Sequence, residues 1–280
     1  MTKTFLKSVL EVPSLSKKEQ CMKSFILDFA IKNNITYKED SYGNIYLFKG
    51  VLKQGEFRPC VVAHMDTVQT AQEYFITKKQ KLQVIESIND YGNIFILDNL
   101  LPMGIGGDDK AGVAIALDII SQKDKIMGAF FVEEEIGCRG AKNLDINMFN
   151  DVAYVMEFDA PSDNWISRVS WGVHLFNDCF YGKIKPLLKK YRQTRINYDD
   201  PFTDIQEIKK KIPVNCINIF AGYQKQHTNF EFVVIEHAQK AAHLGIDLID
   251  VLGNNISRYE YNPEQKHFLL DNEKFGSKSA

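Results

Sequence analysis

Short apolar runs alternate with stretches of helical periodicity along this chain. Residues 60–63, 126–132, 152–158 and 212–220 are compact, rich in β-branched and aromatic residues, and read as buried strands. Ser16-Lys17-Lys18-Glu19 reads as a capping box opening a helix to about Asn33, with Met22, Phe25, Ile26 and Phe29 at helical spacing. Further helices are expected over 110–121, opened by Gly106-Gly107-Asp108-Asp109, and over 183–191. Thr228-Asn229-Phe230-Glu231 reads as a second capping box that starts the last long helix, to about Leu252. Residues 45–48 and 165–175 read as β, and 81–97 as a hairpin turning at Asp90-Tyr91-Gly92-Asn93. Such alternation implies the α/β class: a three-layer α/β/α sandwich around a mostly parallel mixed sheet. Residues 1–255 form one domain in this reading. Residues 256–280 are a polar C-terminal extension, expected to be loosely packed.

The 280 residues, 45% hydrophobic and 25% charged, suit an ordinary globular protein. Lys plus Arg number 34 and Asp plus Glu 36, a net charge of −2, which gives no reason to expect nucleic acid or an anionic membrane as partner. Lys7 and Glu11 break the N-terminus as a signal peptide, and no window approaches a membrane-spanning length. The five cysteines (Cys21, Cys60, Cys138, Cys179, Cys216) contain no Cys-x-x-Cys pair, so a disulfide framework or thiolate zinc site is not expected, and a reducing cytoplasm fits.

What changes this picture is where the metal-ligand residues fall. His64-Met65-Asp66, Asp108-Asp109, Glu133-Glu134-Glu135, Asp159 and His227 each follow an apolar run or open a helix. Those are the places where open α/β sheets build their sites. Each cluster has a bland reading. A single His-x-Asp is common by chance; Asp108-Asp109 after two glycines suits N-capping; Asp159 before Ala160-Pro161 is a turn aspartate, with Glu157 and Asp163 as rival ligands. Three acids directly after the strand 129–132 are less comfortable, because their charges repel unless a cation sits among them. Thr228 and Glu231 read as purely structural. His227 stands in a loop after a buried strand, whereas His174, His237, His243 and His267 have no comparable setting. Two imidazoles and several carboxylates converging on one sheet edge would hold two divalent cations and hydrolyse amide or ester bonds.

In order, these segments resemble the di-zinc exopeptidase superfamily that includes peptidase T, glutamate carboxypeptidase and the aminoacylases. The resemblance rests on Val12-Pro13-Ser14-x-Ser16, Asp40-x-x-Gly43-Asn44, Ala63-His64-Met65-Asp66-Thr67-Val68, Gly107-Asp108-Asp109-Lys110-Ala111-Gly112, Glu134-Glu135-Ile136-Gly137, Asp159, and Gly222 through His227-Thr228-x-x-Glu231. It implies that Asp108 bridges both metals and is followed by a cis peptide bond. It implies His64 and Asp159 at one metal, Glu135 and His227 at the other, Glu134 as general base and Asp66 orienting His64. The cations implied are two, zinc in the first instance, with cobalt or manganese also compatible with imidazole and carboxylate ligands.

One departure is large. Two-domain members of that superfamily carry a lid or dimerisation domain between the positions of Asp159 and His227, where only 67 residues lie here. A domain of ~100 residues does not fit beside the strands that stretch must supply. The expectation is therefore the catalytic domain alone, leaning towards a monomer. The expected activity is that of a metallo-exopeptidase, an aminopeptidase on short peptides, with a metal-bridged hydroxide and a glutamate base. The alternatives are a deacylase of N-acyl amino acids using the same residues, and an inactive binding protein of the same fold, which the complete ligand set argues against.

Overall fold

A computed structural model describes residues 1–98, 103–162 and 164–253. The elements follow in chain order: α1 (Lys3–Leu10), α2 (Gln20–Lys32), β1 (Thr36–Glu39), β2 (Ile45–Lys49), β3 (Arg58–His64), α3 (Gln72–Lys78), β4 (Val84–Asn89), β5 (Gly92–Leu97), α4 (Gly107–Gln122) and β6 (Ile126–Phe131). Then come α5 (Arg139–Lys142), β7 (Val152–Ala160), β8 (Trp165–Ser167), β9 (Val169–Ser170), β10 (Val173–His174), α6 (Asp178–Lys190), β11 (Arg195–Asn197), α7 (Asp204–Lys211), β12 (Cys216–Phe220), β13 (Tyr223–Gln224), β14 (Phe232–Val234) and α8 (Ile235–Leu252).

Eight strands form the main sheet in the order β1-β2-β6-β3-β7-β12-β8-β11. Its centre, β6-β3-β7-β12, is parallel, and antiparallel pairings flank it. The apolar runs that lacked alternation are these central strands: β3 and β6 are buried at every position, as sheets covered on both faces require. The chain thus has the expected α/β class, a large mixed sheet flanked by helices. A smaller antiparallel sheet, β13-β14-β5-β4, contains the expected hairpin, which turns at Asp90-Tyr91.

Helix α4 is apolar nearly all round and buried on nearly all its length, because it packs on β3 and β7 while α1 and α8 cover it. Gly245 of α8 permits that approach: a Cβ there would stand 2.5 Å from Ile119 Cδ1 and 2.8 Å from Phe158 Cζ.

Several local expectations are corrected. Ser16 does not cap α2; its hydroxyl donates to Asp66, and the Lys17 amide donates to Glu19. Glu231 and Thr228 do not open the last helix, because β14 intervenes and α8 begins at Ile235. The strand expected over 212–220 is confined to β12, and 165–175 splits into three short strands. Helices α1, α3 and α7 were not foreseen; α7 ends in Lys209-Lys210-Lys211, yet it buries six of its eight residues. Segment 160–226 supplies β8, β11 and β12 to the main sheet. The expected C-terminal extension lies outside the described residues, as does Asp163. Among the described residues, no helix is long and apolar enough to cross a membrane.

Candidate metal centre

The parallel strands end together at one edge of the sheet. His64, the last residue of β3, pairs in register with Phe131 of β6, and β7 carries Asp159 just past the level at which Val62 meets Glu157. The turn after β6 delivers Glu134 and Glu135, and the loop leaving β13 delivers His227. Helix α4 starts between them and contributes Asp108.

Two trios result. The donor atoms of His64, Asp108 and Asp159 lie within 4.8 Å of one another, and so do those of Asp108, Glu135 and His227. Asp108 is common to both, one carboxylate oxygen to each: Oδ1 is 3.1 Å from His64 Nε2, and Oδ2 is 3.3 Å from His227 Nε2. His227 Nε2 is also 3.0 Å from Glu135 Oε2, and His64 Nε2 is 3.9 Å from Asp159 Oδ1. All are largely buried except His227, whose side chain is half exposed. The peptide bond Asp108-Asp109 is cis.

A surrounding layer fixes these groups. His64 Nδ1 lies 3.1 Å from the Asp66 main-chain oxygen, which directs Nε2 into the site. The Asp66 carboxylate does something different: it accepts from the amides of Glu134 (2.9 Å) and Glu135 (3.2 Å) and from the Ser16 hydroxyl (2.6 Å). It therefore clamps the glutamate turn onto the end of β3. Asp109 accepts from the His64 amide, and the space that a Cβ on Gly112 would need is filled by the Asp109 carboxylate. Tyr223 donates to Asp159 Oδ1 at 2.9 Å, and Asn218 Oδ1 accepts from the Asp159 amide at 2.8 Å. The rival Glu157 is turned away, accepting from Thr203 and the Ile205 amide.

Glu231, read from sequence as a cap for the last helix, instead serves the first turn of α4. It accepts from the Gly106 amide at 2.8 Å and the Asp108 amide at 2.9 Å. The spacing His227-Thr228-x-x-Glu231 was the signal; a local capping pattern concealed a contact 123 residues away. Replacing Glu231 with Ala leaves two buried amides unsatisfied, at about 1–3 kcal/mol each. Urea unfolding of the Glu231→Ala protein is expected to show a loss of at least about 2 kcal/mol; an unchanged midpoint would contradict this anchoring role.

The electrostatics of the cluster call for positive charge. Burial, reinforced by neighbouring carboxylates, holds Glu134, Glu135 and Asp159 above the usual carboxylate range. Burial also opposes ionisation of Asp108, but hydrogen bonds to His227 and His64 outweigh it and hold Asp108 low. Burial disfavours a charged His64, yet Glu134, Asp108 and Asp66 lift it well above its normal value. Hydrogen bonds to Asp108 and Glu135 push His227 up to about 10. Protons on the two rings thus stand where cations would stand. The buried Glu135 Oε1 has no partner of its own. Imidazole and carboxylate donors in two trios sharing a bridge fit a pair of divalent ions of the zinc type.

A cavity of about 300 Å³ opens onto the trios, lined by Asp108, Glu134, Glu135, Asp159 and His227 on one part and by residues 200–203, Asn218, Tyr223 and Gln226 on another. No Lys or Arg lines it. A larger cavity, about 890 Å³, lies between α3 and β5 and is lined mainly by Tyr74, Phe75, Leu97 and Met103. It holds no candidate ligand and is remote from this chemistry.

No protein-family model and no curated protein sequence matches this chain. Solved structures do. An aminopeptidase PepT from Bacillus cereus superposes with a TM-score of 0.71 at 17% identity, over 89% of this chain and 97% of that one. A tripeptidase from Staphylococcus aureus gives 0.67 at 14% identity, over 89% and 96%. The TET1 peptidase of Pyrococcus horikoshii, which can assemble into a tetrahedron or a large octahedral shell, gives 0.60 at 16% identity, over 88% and 98%. At such identities the likeness is one of fold: this chain has the fold of these peptidases.

Proposed function

We propose that this protein is a metal-dependent aminopeptidase acting on short peptides. The observation that carries the reading is the pair of ligand trios sharing Asp108 at the floor of a cavity without Lys or Arg. In it, His64, Asp108 and Asp159 hold one divalent ion, and Asp108, Glu135 and His227 hold the other. When bound, such a pair supplies Lewis acidity and lowers the pKa of water.

The chain's own residues do the rest. Glu134 is buried beside the trios, with Oε2 3.8 Å from His64 Nε2, while Oε1 accepts from the Cys138 thiol at 3.3 Å. One oxygen is thereby held back and the other faces the reacting centre. Glu134 takes a proton from the attacking water and returns it to the leaving amine. Its elevated pKa suits a base that must release the proton again. Asp66 holds the backbone of Glu134 and, through its main-chain oxygen, the ring of His64.

The cavity's charge supports a free amine at the substrate's near end. A substrate whose carboxylate had to be gripped there, as in an N-acyl amino acid, would meet Asp200, Asp159 and Glu134 without a balancing cation. The catalytic domain stands alone in this reading, residues 160–226 being spent on the sheet. Similarity to an assembling TET1 peptidase weighs against the monomer suggested by that short segment, and light scattering decides between them.

Two measurements test the proposal. Tripeptides with a free N-terminus are expected to be cleaved and their N-acetylated counterparts left intact; the reverse preference would make the protein a deacylase. Chelation should abolish turnover and lower the melting temperature, since an ion that binds only the folded chain stabilises it by mass action. Zinc should restore both, and full activity in a metal-free preparation would end the metal reading.

A further inference from the structure

The metal-centre acids do not exhaust the negative charge around the cavity. Asp200 also lines it, yet belongs to neither trio. This side chain is 1% exposed. Its Oδ1 accepts from Asn197, while its Oδ2 is buried and has no partner. Its main chain is committed elsewhere, the amide to Val169 and the carbonyl to Trp171, so the carboxylate is held in place. Directly after it come Thr203, which donates to Glu157, and Asp204. Glu157 keeps one unpartnered buried oxygen and Asp204 two. No Lys or Arg acts on any of these three acids. Burial, followed by Asp199, accordingly pushes Asp200 up to about 6.

The rim above this wall is aromatic. Phe202 lines the cavity and meets Trp171 edge to face at 5.7 Å; the two are 37% and 67% exposed. Aromatic faces pack against methylene stems and attract cationic heads. A cavity of about 300 Å³ has room for roughly one amino-acid residue beside the ions.

We infer that Asp200, beneath the Trp171–Phe202 rim, receives a cationic side chain, lysine or arginine, on the residue N-terminal to the scissile bond. This rests on the aminopeptidase reading for the direction in which the peptide lies. The stem packs on Phe202 and the head pairs with the free Asp200 oxygen, with Glu157 and Asp204 adding to the negative field behind it. The substrate's α-ammonium has a different place, since it must stay one residue from the carbonyl at the trios.

The test is calorimetric binding of L-lysinamide and L-norleucinamide to the zinc-reconstituted protein. Both ligands carry an α-ammonium and the same four-carbon stem, and only the side-chain charge differs. Lysinamide is expected to bind at least about tenfold more tightly, the effect of one desolvated charge pair. In Asp200→Asn that ratio should fall to within about twofold of one. Equal Kd values in the parent protein, or a ratio untouched by Asp200→Asn, would overturn the inference. So would equal weakening of both ligands in the variant, which would give Asp200 to the α-ammonium. If the variant does not fold, the parent ratio alone decides. Because binding is read without turnover, a preserved ratio in a protein that cleaves no peptide would refute the activity and leave this amine-binding wall standing.

Discussion

Glu134→Gln is expected to bind two metal ions and yet turn over peptide about 10²- to 10⁴-fold more slowly, the range typical of a lost general base. The substitution keeps the side chain's length and its capacity to accept from Cys138, and it leaves the Asp66 clamp intact because that clamp holds the backbone amide. What it removes is the basic oxygen on the side of His64. The comparison must be made at equal metal occupancy, since lost metal would imitate a lost base. Turnover near the parent rate with both ions present would rule out Glu134 as the base. The adjacent Glu135 belongs instead to a trio, so Glu135→Ala should lose metal where Glu134→Gln does not.

The largest effect on metal content should come from Asp108. Each trio uses one of its carboxylate oxygens, so Asp108→Ala takes a ligand from both ions at once and removes their bridge. Elemental analysis after zinc reconstitution and dialysis is expected to fall from two ions per chain to fewer than one, with turnover lost in parallel. His227→Ala, in contrast, should empty chiefly the trio it belongs to. Two retained ions in Asp108→Ala would refute the bridging arrangement. The variant should still fold, because Glu231 anchors the start of α4 through the main-chain amides of Gly106 and Asp108, which the substitution preserves.

The central strands were legible in the sequence because a parallel sheet covered on both faces leaves apolar runs without alternation, as at 60–63 and 126–132. The candidate ligands were legible because such strands end at one edge, and polar residues directly after them stand out. The capping patterns were not. Ser16-x-x-Glu19 and Thr228-x-x-Glu231 have the local chemistry of helix starts, but their side chains answer to distant groups, Ser16 to Asp66 and Glu231 to the α4 turn. A local motif cannot reveal a competing long-range partner. Helix α7 was hidden differently: Lys209 to Lys211 gave it a polar face, while Lys209 is in fact buried and donates to the Val214 carbonyl. The Asp200 wall gave no signal at all, since an aspartate before a proline reads as a turn.

The bridging of Asp108 and the parallel register of β3, β6 and β7 together have a consequence for how the protein matures. The six residues around the trios come from segments spread from His64 to His227, and successive strand residues point to opposite faces. A one-residue slip of β3 against β6 would carry His64 to the wrong side and abolish the first trio. Metal uptake therefore acts as a proofreader of assembly: only a chain whose central pairings are all correct can capture the ions, and capture then secures that arrangement against its near neighbours. Newly made or refolding chains should acquire zinc late and in a single cooperative step, so that metal retention would serve as an assay of correct folding as well as of catalytic competence.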